Sequence, residues 1–338
     1  MINFFVIIFI LNFSIFFFYK PISKLYNLFD YPDHKRKIHN KPVPLLGGLI
    51  LFLNFFFILL FNNFFPILEN FNFFGSENNF YYFFIVFISF FVIGYLDDKH
   101  KINANLKLLL TSLFIIFLIY HDENILLENI KFTFINHIFY LGALSYFVTL
   151  VCFLLFINAF NMLDGINGQA ASYTVFILLI LILNNIISAF LLSFLIMLIF
   201  FLMLNLKNKV FFGDNGTLPL GYMISYFFLK SYNNIDDVFF ADQIFLIMSI
   251  PGYELFRLAI QRLINKKHPF LADNNHIHHL LLKKYKFIYT FFIIQLLLII
   301  PYLSFLLFNS FLFSFSLSVT TYAIVIYLSY RKKYNAYK

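Results

Sequence analysis

Residues 169–204 read QAASYTVFILLILILNNIISAFLLSFLIMLIFFLML, a long run without a single Asp, Glu, Lys or Arg. A bilayer core about 30 Å thick needs about 20 residues of helix to cross it. The run is therefore long enough for two crossings, and the polar pair Asn184–Asn185 marks the turn between them. This segment predicts two consecutive membrane-spanning helices.

The rest of the chain has the same character. Of the 338 residues, 62% are hydrophobic and 12% are charged, and the mean hydropathy is +0.84. Average soluble domains are about 25% charged. The composition excludes a soluble enzyme, a disordered chain and a free nucleic-acid-binding protein. It predicts an all-α polytopic membrane protein, with residues 1–338 forming one integral-membrane domain. The apolar runs predict about eleven membrane helices (10–11), at 3–19, 45–65, 80–96, 105–120, 138–157, 169–186, 187–204, 218–231, 239–261, 287–307 and 310–330.

The basic residues predict the orientation of these helices. If the spans are right, 24 Lys and Arg residues divide so that all but Lys131 and Lys230 fall on one side. Lys and Arg accumulate in cytoplasmic loops of membrane proteins. We therefore expect an external N-terminus and a cytoplasmic C-terminus, with the long basic loops also in the cytoplasm.

Four polar clusters interrupt the apolar background, and all are predicted at the cytoplasmic face. They are Gly94–Asp98, Asn158–Gly168, Phe212–Gly216 and His276–His279.

Each cluster has an ordinary explanation and a functional one. Asp97 and Asp98 repel each other, and a divalent cation such as Mg²⁺ would relieve that repulsion; the alternative is a solvated helix end. Asp214 lies between Gly213 and Gly216, in a loop that could bring backbone N–H groups to a phosphate. By itself, each of these signals is weak.

The histidine cluster is open to three interpretations. His276, His278 and His279 could bind zinc, although no Cys lies near them. Lys266 and Lys267 upstream favour an anion-binding loop instead. The third interpretation is a basic loop that contacts lipid headgroups.

Taken together, the clusters bring carboxylates, amides, glycines and imidazoles to one membrane face beside many bases. That combination is what Mg²⁺-assisted phosphoryl transfer at a membrane surface requires. Two other classes stay open: a transporter of lipid-linked sugars, which would need polar groups reaching the middle of the membrane, and a non-catalytic membrane scaffold.

At this point the motifs resemble those of the polyprenyl-phosphate N-acetylhexosamine-1-phosphate transferase family, glycosyltransferase family 4. The matching residues occur in the family's order over nearly the whole chain. They are Asp30, Pro32, Lys35–Lys37, His39, Pro44, Gly47–Gly48, Asp97–Asp98, Asn158, Asn161, Asp164–Gly165, Gly213–Asp214, His276 and His278–His279.

The resemblance implies a reaction and its partners. The family transfers a sugar 1-phosphate from a UDP-sugar to a polyprenyl phosphate and releases UMP, with Mg²⁺ as cofactor and Mn²⁺ as an alternative metal. The His-Ile-His-His form resembles the branch that uses UDP-N-acetylglucosamine and undecaprenyl phosphate. The alternative within the family is the phospho-N-acetylmuramoyl-pentapeptide transferase of peptidoglycan synthesis. The implied location is the bacterial cytoplasmic membrane, with the active site on the cytoplasmic face, and the chain could form a homodimer.

The resemblance also implies roles for individual residues. Asp97, Asp98 and Asp164 are expected to be catalytic, and Asp214 to bind the metal. Asn167 stands where bacterial members usually have Asp, and by resemblance it faces the uracil. The other expected substrate-binding residues are Asn158, Asn161, Lys107, His276, His278, His279 and Arg36.

Overall fold

A computed structural model describes most of the chain as helix. The described residues are 2–32, 39, 41–62, 64, 73–184, 186, 188–234, 239–267 and 274–330. Their helices are α1 Ile2–Tyr26, α2 Gly47–Asn62, α3 Glu77–His100, α4 Ala104–His121, α5 Ser145–Leu163, α6 Gln169–Leu183, α7 Ser188–Asn205, α8 Asp214–Asn234, α9 Ala241–Ile264, α10 Ile277–Leu282, α11 Phe287–Phe308 and α12 Phe311–Tyr330.

Seven of the described helices are long and apolar enough to cross a membrane, namely Ile2–Tyr26, Glu77–His100, Ala104–His121, Gly142–Leu163, Ala241–Ile264, Phe287–Phe308 and Phe311–Tyr330. Helices α2, α6 and α7 are also apolar but shorter. The chain is thus a mostly helical, polytopic membrane protein. The number of eleven crossings and the orientation of the termini stay predictions.

Every predicted helix corresponds to a helix in the structure, with one clear shift in boundaries. Residues 138–157 were expected to form a span, but this helix begins at Ser145 and continues to Leu163. Its expected start lies instead in a two-stranded sheet formed by Asn129–Phe132 and Ile135–Tyr140. An apolar, aromatic segment such as IFY suits either a strand or a helix, which explains the error.

The structure divides into two compact units. The first comprises Met1–Ile130 and Phe139–Phe239, and the second comprises Lys131–Ile138 and Phe240–Lys338. Compact units can belong to a single functional domain, so the single-domain interpretation stays a prediction.

Helix α8 forms the centre of the first unit and packs against α2, α3 and α5. Its aromatic side chains are buried against α3, where Tyr222 stacks on Phe90 and Phe83 contacts Tyr226. Because protein surrounds α8, the helix can be less apolar than one that faces lipid. Exposed apolar side chains, such as Phe17 on α1, lie on the outer helices instead.

Asp122 and Lys230 form a fully buried ion pair in the first unit. Both side chains are 0% exposed. The Lys230 ammonium donates to both Asp122 oxygens at 2.7 and 2.9 Å. Tyr226 and Asn79 donate to the same carboxylate at 2.7 and 2.9 Å. The pair therefore joins the end of α4 to α8 and to the start of α3.

Replacing Lys230 with methionine should destabilise the protein by about 3–5 kcal/mol, because it leaves a buried carboxylate without its cation. Thermal unfolding in detergent measures the loss. The double variant Asp122→Asn, Lys230→Met should recover part of it, since no charge is then buried. A double variant no more stable than Lys230→Met would contradict this account.

The second unit is built on α9, which packs against α11 and α12. The short helix α10 contacts α11 and α12. Asp242, near the start of α9, is also buried and accepts hydrogen bonds from the Thr133 backbone N–H and hydroxyl.

Candidate active site

The site lies where one end of α3, α4 and α8 meet. Helix α3 ends at His100, and the next residue, Lys101, has a left-handed backbone (φ 54°) and donates its N–H to the Asp97 carbonyl. Asn103 then caps α4 by accepting from the Asn105 N–H. This short turn brings Asp97, in the last turn of α3, opposite Lys107 in the first turn of α4.

The Lys107 ammonium joins two carboxylates. Its Nζ atom lies 2.8 Å from Asp97 Oδ2 and 2.7 Å from Asp214 Oδ2, at the start of α8. The three side chains are between 15% and 24% exposed, so a ligand can reach them. Residues distant in sequence thus form one charged cluster, as the sequence motifs predicted.

Asp214 is held in its ionised form. Burial opposes ionisation, but the Lys107 ammonium and hydrogen bonds from Lys107 and Asn161 outweigh it and hold the pKa of Asp214 below its usual value. An acidic side chain at the beginning of α8 also suits the positive end of the helix dipole. Asp214 therefore offers an anionic oxygen at neutral pH.

Asp98 contacts backbone rather than the lysine. One of its carboxylate oxygens accepts the Asp214 N–H at 3.0 Å, and the other accepts the Asn215 N–H at 2.9 Å and the Asn215 side-chain amide at 2.7 Å. Free N–H groups at a helix start need such partners. The contacts of Asp98 are those of a residue that fixes the start of α8 and so positions Asp214.

Glycines let the backbone come close at this point. A Cβ atom added to Gly94 of α3 would lie less than 3.0 Å from backbone atoms of Asp214 and Asn215. Gly48 of α2 is equally close to the Asn215 carbonyl, and its N–H donates to Asn215 Oδ1 at 2.8 Å. The loop before α8 is therefore fixed between α2 and α3.

Helix α5 contributes Asn161 to the cluster. Its amide nitrogen lies 3.5 Å from Asp214 Oδ2, and its oxygen accepts from the Thr217 hydroxyl at 2.6 Å. Asn158, one turn earlier, donates to the Leu154 carbonyl within its own helix at 2.7 Å. The structure thus connects Asn161 to Asp214 directly, whereas the described contact of Asn158 is local.

Asp164 directly follows α5, next to the charged cluster. Burial raises the pKa of Asp164 to about 7, and the carboxylates of Asp214 and Asp98 add to the shift. Asp164 can therefore exchange a proton near neutral pH, as its predicted catalytic role would require.

Asn167 belongs to the turn that follows Asp164. Its side-chain amide donates to Asn208 Oδ1 at 2.6 Å. The next residue, Gly168, has a left-handed backbone (φ 79°) and donates its N–H to Asn205 Oδ1 at 2.5 Å. Asn205 also donates to the Val210 carbonyl at 2.8 Å. Asn205, the last residue of α7, and Asn208, just after it, thus fix the turn that carries Asn167.

The predicted histidines belong to the second unit. The ring centroids of His278 and His279 are 4.3 Å apart, and those of His276 and His278 are 5.3 Å apart. His278 is buried, and burial together with the neighbouring His279 and His276 lowers its pKa well below the usual value. His278 is therefore a neutral imidazole at pH 7. Arg36 lies outside the described residues.

The described residues contain no group of three or more His, Cys, Asp and Glu side chains arranged to hold a metal ion. They do contain two carboxylates, those of Asp97 and Asp214, that both contact the Lys107 ammonium. Mg²⁺ is usually bound by one or two carboxylates together with substrate phosphates and water. The donor set of Asp97 and Asp214 fits such an ion.

Several residues at the site carry no charge and were not predicted to act there. Asn215, Thr217, Asn205 and Asn208 lie beside predicted positions, and each makes its contact across a long stretch of sequence. Their spacing along the chain gives no signal of these contacts. Only the position of Asn215 inside the Gly213–Gly216 cluster could have drawn attention to it.

Comparison with known proteins finds similarity over the region that contains these residues. The model of "Glycosyl transferase family 4" matches residues 80–232, which include the charged cluster and the turn with Asn167. Two similar proteins are both named undecaprenyl-phosphate alpha-N-acetylglucosaminyl 1-phosphate transferase. The protein from Thermotoga maritima is 28% identical over 78% of this chain and 75% of its own length. The protein from Escherichia coli (strain K12) is 26% identical over 79% of this chain and 72% of its own. Over residues 80–232, which hold the charged cluster, this chain is therefore similar to glycosyl transferase family 4.

Proposed function

We propose that this protein transfers N-acetylglucosamine 1-phosphate from UDP-N-acetylglucosamine to undecaprenyl phosphate and releases UMP. The observation that carries the proposal is the Lys107 ammonium between the carboxylates of Asp97 and Asp214, at a place a ligand can reach. The names of the similar proteins support this choice of sugar and lipid over the peptidoglycan reaction.

The acceptor's phosphate oxygen attacks the phosphorus that carries the sugar. The bond from that phosphorus to the bridging oxygen breaks, and UMP leaves with the bridging oxygen. A phosphate monoester has a second pKa of about 6, so the acceptor is already largely dianionic at pH 7. Asp97 then needs mainly to orient it, and we favour direct attack over a covalent intermediate.

Lys107 holds the phosphates during this step. Its ammonium already lies between two anions, so an arriving phosphate can replace one of its carboxylate contacts. Asp98 keeps the start of α8 in place while this happens, through its bonds to the backbone of Asp214 and Asn215. Positioning and charge neutralisation account for most catalysis of phosphoryl transfer.

Asp214 and Asp97 would hold the Mg²⁺ ion. When bound, the ion supplies positive charge that stabilises the diphosphate and the departing UMP. His276, His278 and His279, together with Arg36, stay proposed substrate-binding residues. We propose that three further residues contact the UDP-sugar, namely Asn158, Asn161 and Asn167.

The direct test is a transfer assay with purified protein. Undecaprenyl phosphate and several UDP-sugars are supplied with and without Mg²⁺, and the lipid product is identified by mass spectrometry. We expect N-acetylglucosamine diphosphate-undecaprenol and UMP, formed only with the metal. Exchange of radiolabelled UMP into UDP-N-acetylglucosamine, in the presence of the lipid, provides a second readout that a transporter or a scaffold would not give.

Replacing Asn167 with leucine should weaken binding of the UDP-sugar. Losing the amide leaves a nucleobase edge without its partner, at a cost of about 1–3 kcal/mol, while the KM for the lipid changes little.

Asn167→Asp should stay active, because the Asn208 amide can turn to donate to it. Asn208→Gly keeps the left-handed backbone of that position (φ 55°) and tests whether Asn208 orients Asn167. Unchanged KM for the UDP-sugar in Asn167→Leu would show that Asn167 does not contact the nucleotide.

We also propose that the site faces the cytoplasm, which the distribution of Lys and Arg supports. A cysteine at Asn274, in a Cys152→Ser background, should resist membrane-impermeant thiol reagents in intact cells and react in inverted vesicles. Labelling in intact cells would show that this loop lies outside the cell, and the proposed access to cytoplasmic UDP-sugar would then be wrong.

A further inference from the structure

The histidine segment, defined as Asn275–His279, is joined to α9 by a buried carboxylate. Glu254 Oε1 accepts the Ile277 backbone N–H at 2.7 Å and an Arg257 N–H at 2.7 Å. Its Oε2 accepts the Tyr322 hydroxyl at 2.6 Å and Arg257 Nε at 3.1 Å. Four donors thus fill the acceptor positions of one carboxylate.

Arg257 makes a second connection to the same segment. Its guanidinium donates to the Asn275 carbonyl at 2.7 Å, in addition to Glu254 and the Tyr322 hydroxyl. The Glu254 side chain is 8% exposed and that of Arg257 is 17% exposed. The backbone on both sides of His276 is therefore fixed to the same ion pair.

This arrangement is more than a stabilising ion pair between neighbours on a helix. An exposed pair three residues apart contributes little and has no reason to contact a distant loop. Here both partners form hydrogen bonds with backbone groups about twenty residues further along the chain, at the start of α10. From that start the buried His278 and the partly exposed His279 project.

We propose that Glu254 and Arg257 are positioning residues that hold the histidine segment in the conformation in which His278 and His279 contact substrate. The claim that these histidines contact substrate rests on the proposed function, whereas the claim that Glu254 and Arg257 hold the conformation of the segment does not. Neither residue belongs to the motifs that the sequence singled out.

The first test measures conformation without any substrate. Diethyl pyrocarbonate reacts with neutral imidazole, and His278 is neutral at pH 7, so burial alone limits its reaction. In Glu254→Gln an NH₂ group replaces one carboxylate oxygen. Each of the two oxygens accepts from two donors, so the NH₂ group faces two donors in either orientation of the amide. We expect His278 to be modified at least about tenfold faster than in the unmodified chain, as measured by mass spectrometry of peptides from the full-length protein in detergent.

A matched control and a second variant accompany this test. Tyr253, the residue before Glu254, also contacts α12 through its hydroxyl, 2.9 Å from Ser318 Oγ. Among the described residues, its side chain contacts Ser318, Phe245 and Tyr322 rather than the histidine segment. Tyr253→Phe should leave the rate at His278 unchanged. Arg257→Lys keeps the charge but cannot reach Glu254, Asn275 and Tyr322 at once, so it should expose His278 even if Glu254→Gln does not fold.

The second test measures transfer with both substrates. Glu254→Gln and Arg257→Lys should lower kcat/KM about tenfold or more, with Tyr253→Phe unchanged. Protection of His278 in both variants would overturn the proposal, whatever their activity. Exposure of His278 with full activity would overturn its substrate part. If the unmodified chain shows no transfer, the proposed function fails, while the modification rates still decide the conformational part.

Discussion

Asp214→Asn should abolish turnover and leave the protein folded. The substitution removes an anionic oxygen that Lys107 contacts and that we propose as a metal ligand. Loss of several kcal/mol of transition-state stabilisation lowers kcat about a thousandfold or more. Folding should survive, because the bonds from Asp98 go to the backbone N–H groups of residues 214 and 215 and not to the Asp214 side chain.

The measurement is kcat over a range of Mg²⁺ concentrations, with thermal unfolding as the check on folding. Glu77→Gln is the matched control, since it also turns an acid into an amide, but at an exposed position at the start of α3. It should keep full activity. Near-normal turnover of Asp214→Asn at saturating Mg²⁺ would show that Asp214 is not the metal ligand that we propose.

Gly94→Ala should damage both stability and activity through one methyl group. The new Cβ atom would meet backbone atoms of Asp214 and Asn215, which cannot turn aside as a side chain can. Helices α3 and α8 would have to separate. Overpacking of this kind costs about 1–3 kcal/mol, and a displacement of about 1 Å at a catalytic group can reduce the rate about a hundredfold.

Gly252→Ala is the control for this prediction. Gly252 lies in α9, and apart from the neighbouring backbone of that helix, no heavy atom of the described residues lies within 4 Å of the position that its Cβ would take. Alanine favours helix over glycine by about 1 kcal/mol, so this variant should be as stable as the unmodified chain or slightly more so. Equal activity in the Gly94→Ala and Gly252→Ala proteins would mean that close contact of α3 with α8 does not set the geometry of the site.

Composition was enough to predict the fold class, because nothing but a membrane protein can carry so few charges. The apolar runs also predicted each long helix, but not the short α10, and they placed the start of α5 too early, where a strand replaces the first turns. Short apolar segments do not distinguish the two structures. Strand formation there depends on a pairing partner, and the pattern of one segment does not show its partner.

The acidic motifs predicted that the polar clusters share one membrane face, but not what each carboxylate contacts. Asp97 and Asp98 are neighbours in sequence and equivalent in composition. In the structure one contacts the Lys107 ammonium, and the other accepts N–H groups from the start of α8. A helix turns about 100° between adjacent residues, so the two side chains face different surroundings. That difference depends on the neighbouring helices.

The buried pair of Asp122 and Lys230 has a consequence for how the protein is made. A lysine in a helix that enters the bilayer alone costs about 3 kcal/mol, and α8 is the helix that carries Lys230. Helix α4 is synthesised first and presents Asp122 at its end. We therefore expect α8 to leave the translocation machinery together with the helices already made, so that the central helix of the first unit is among the last of that unit to be inserted.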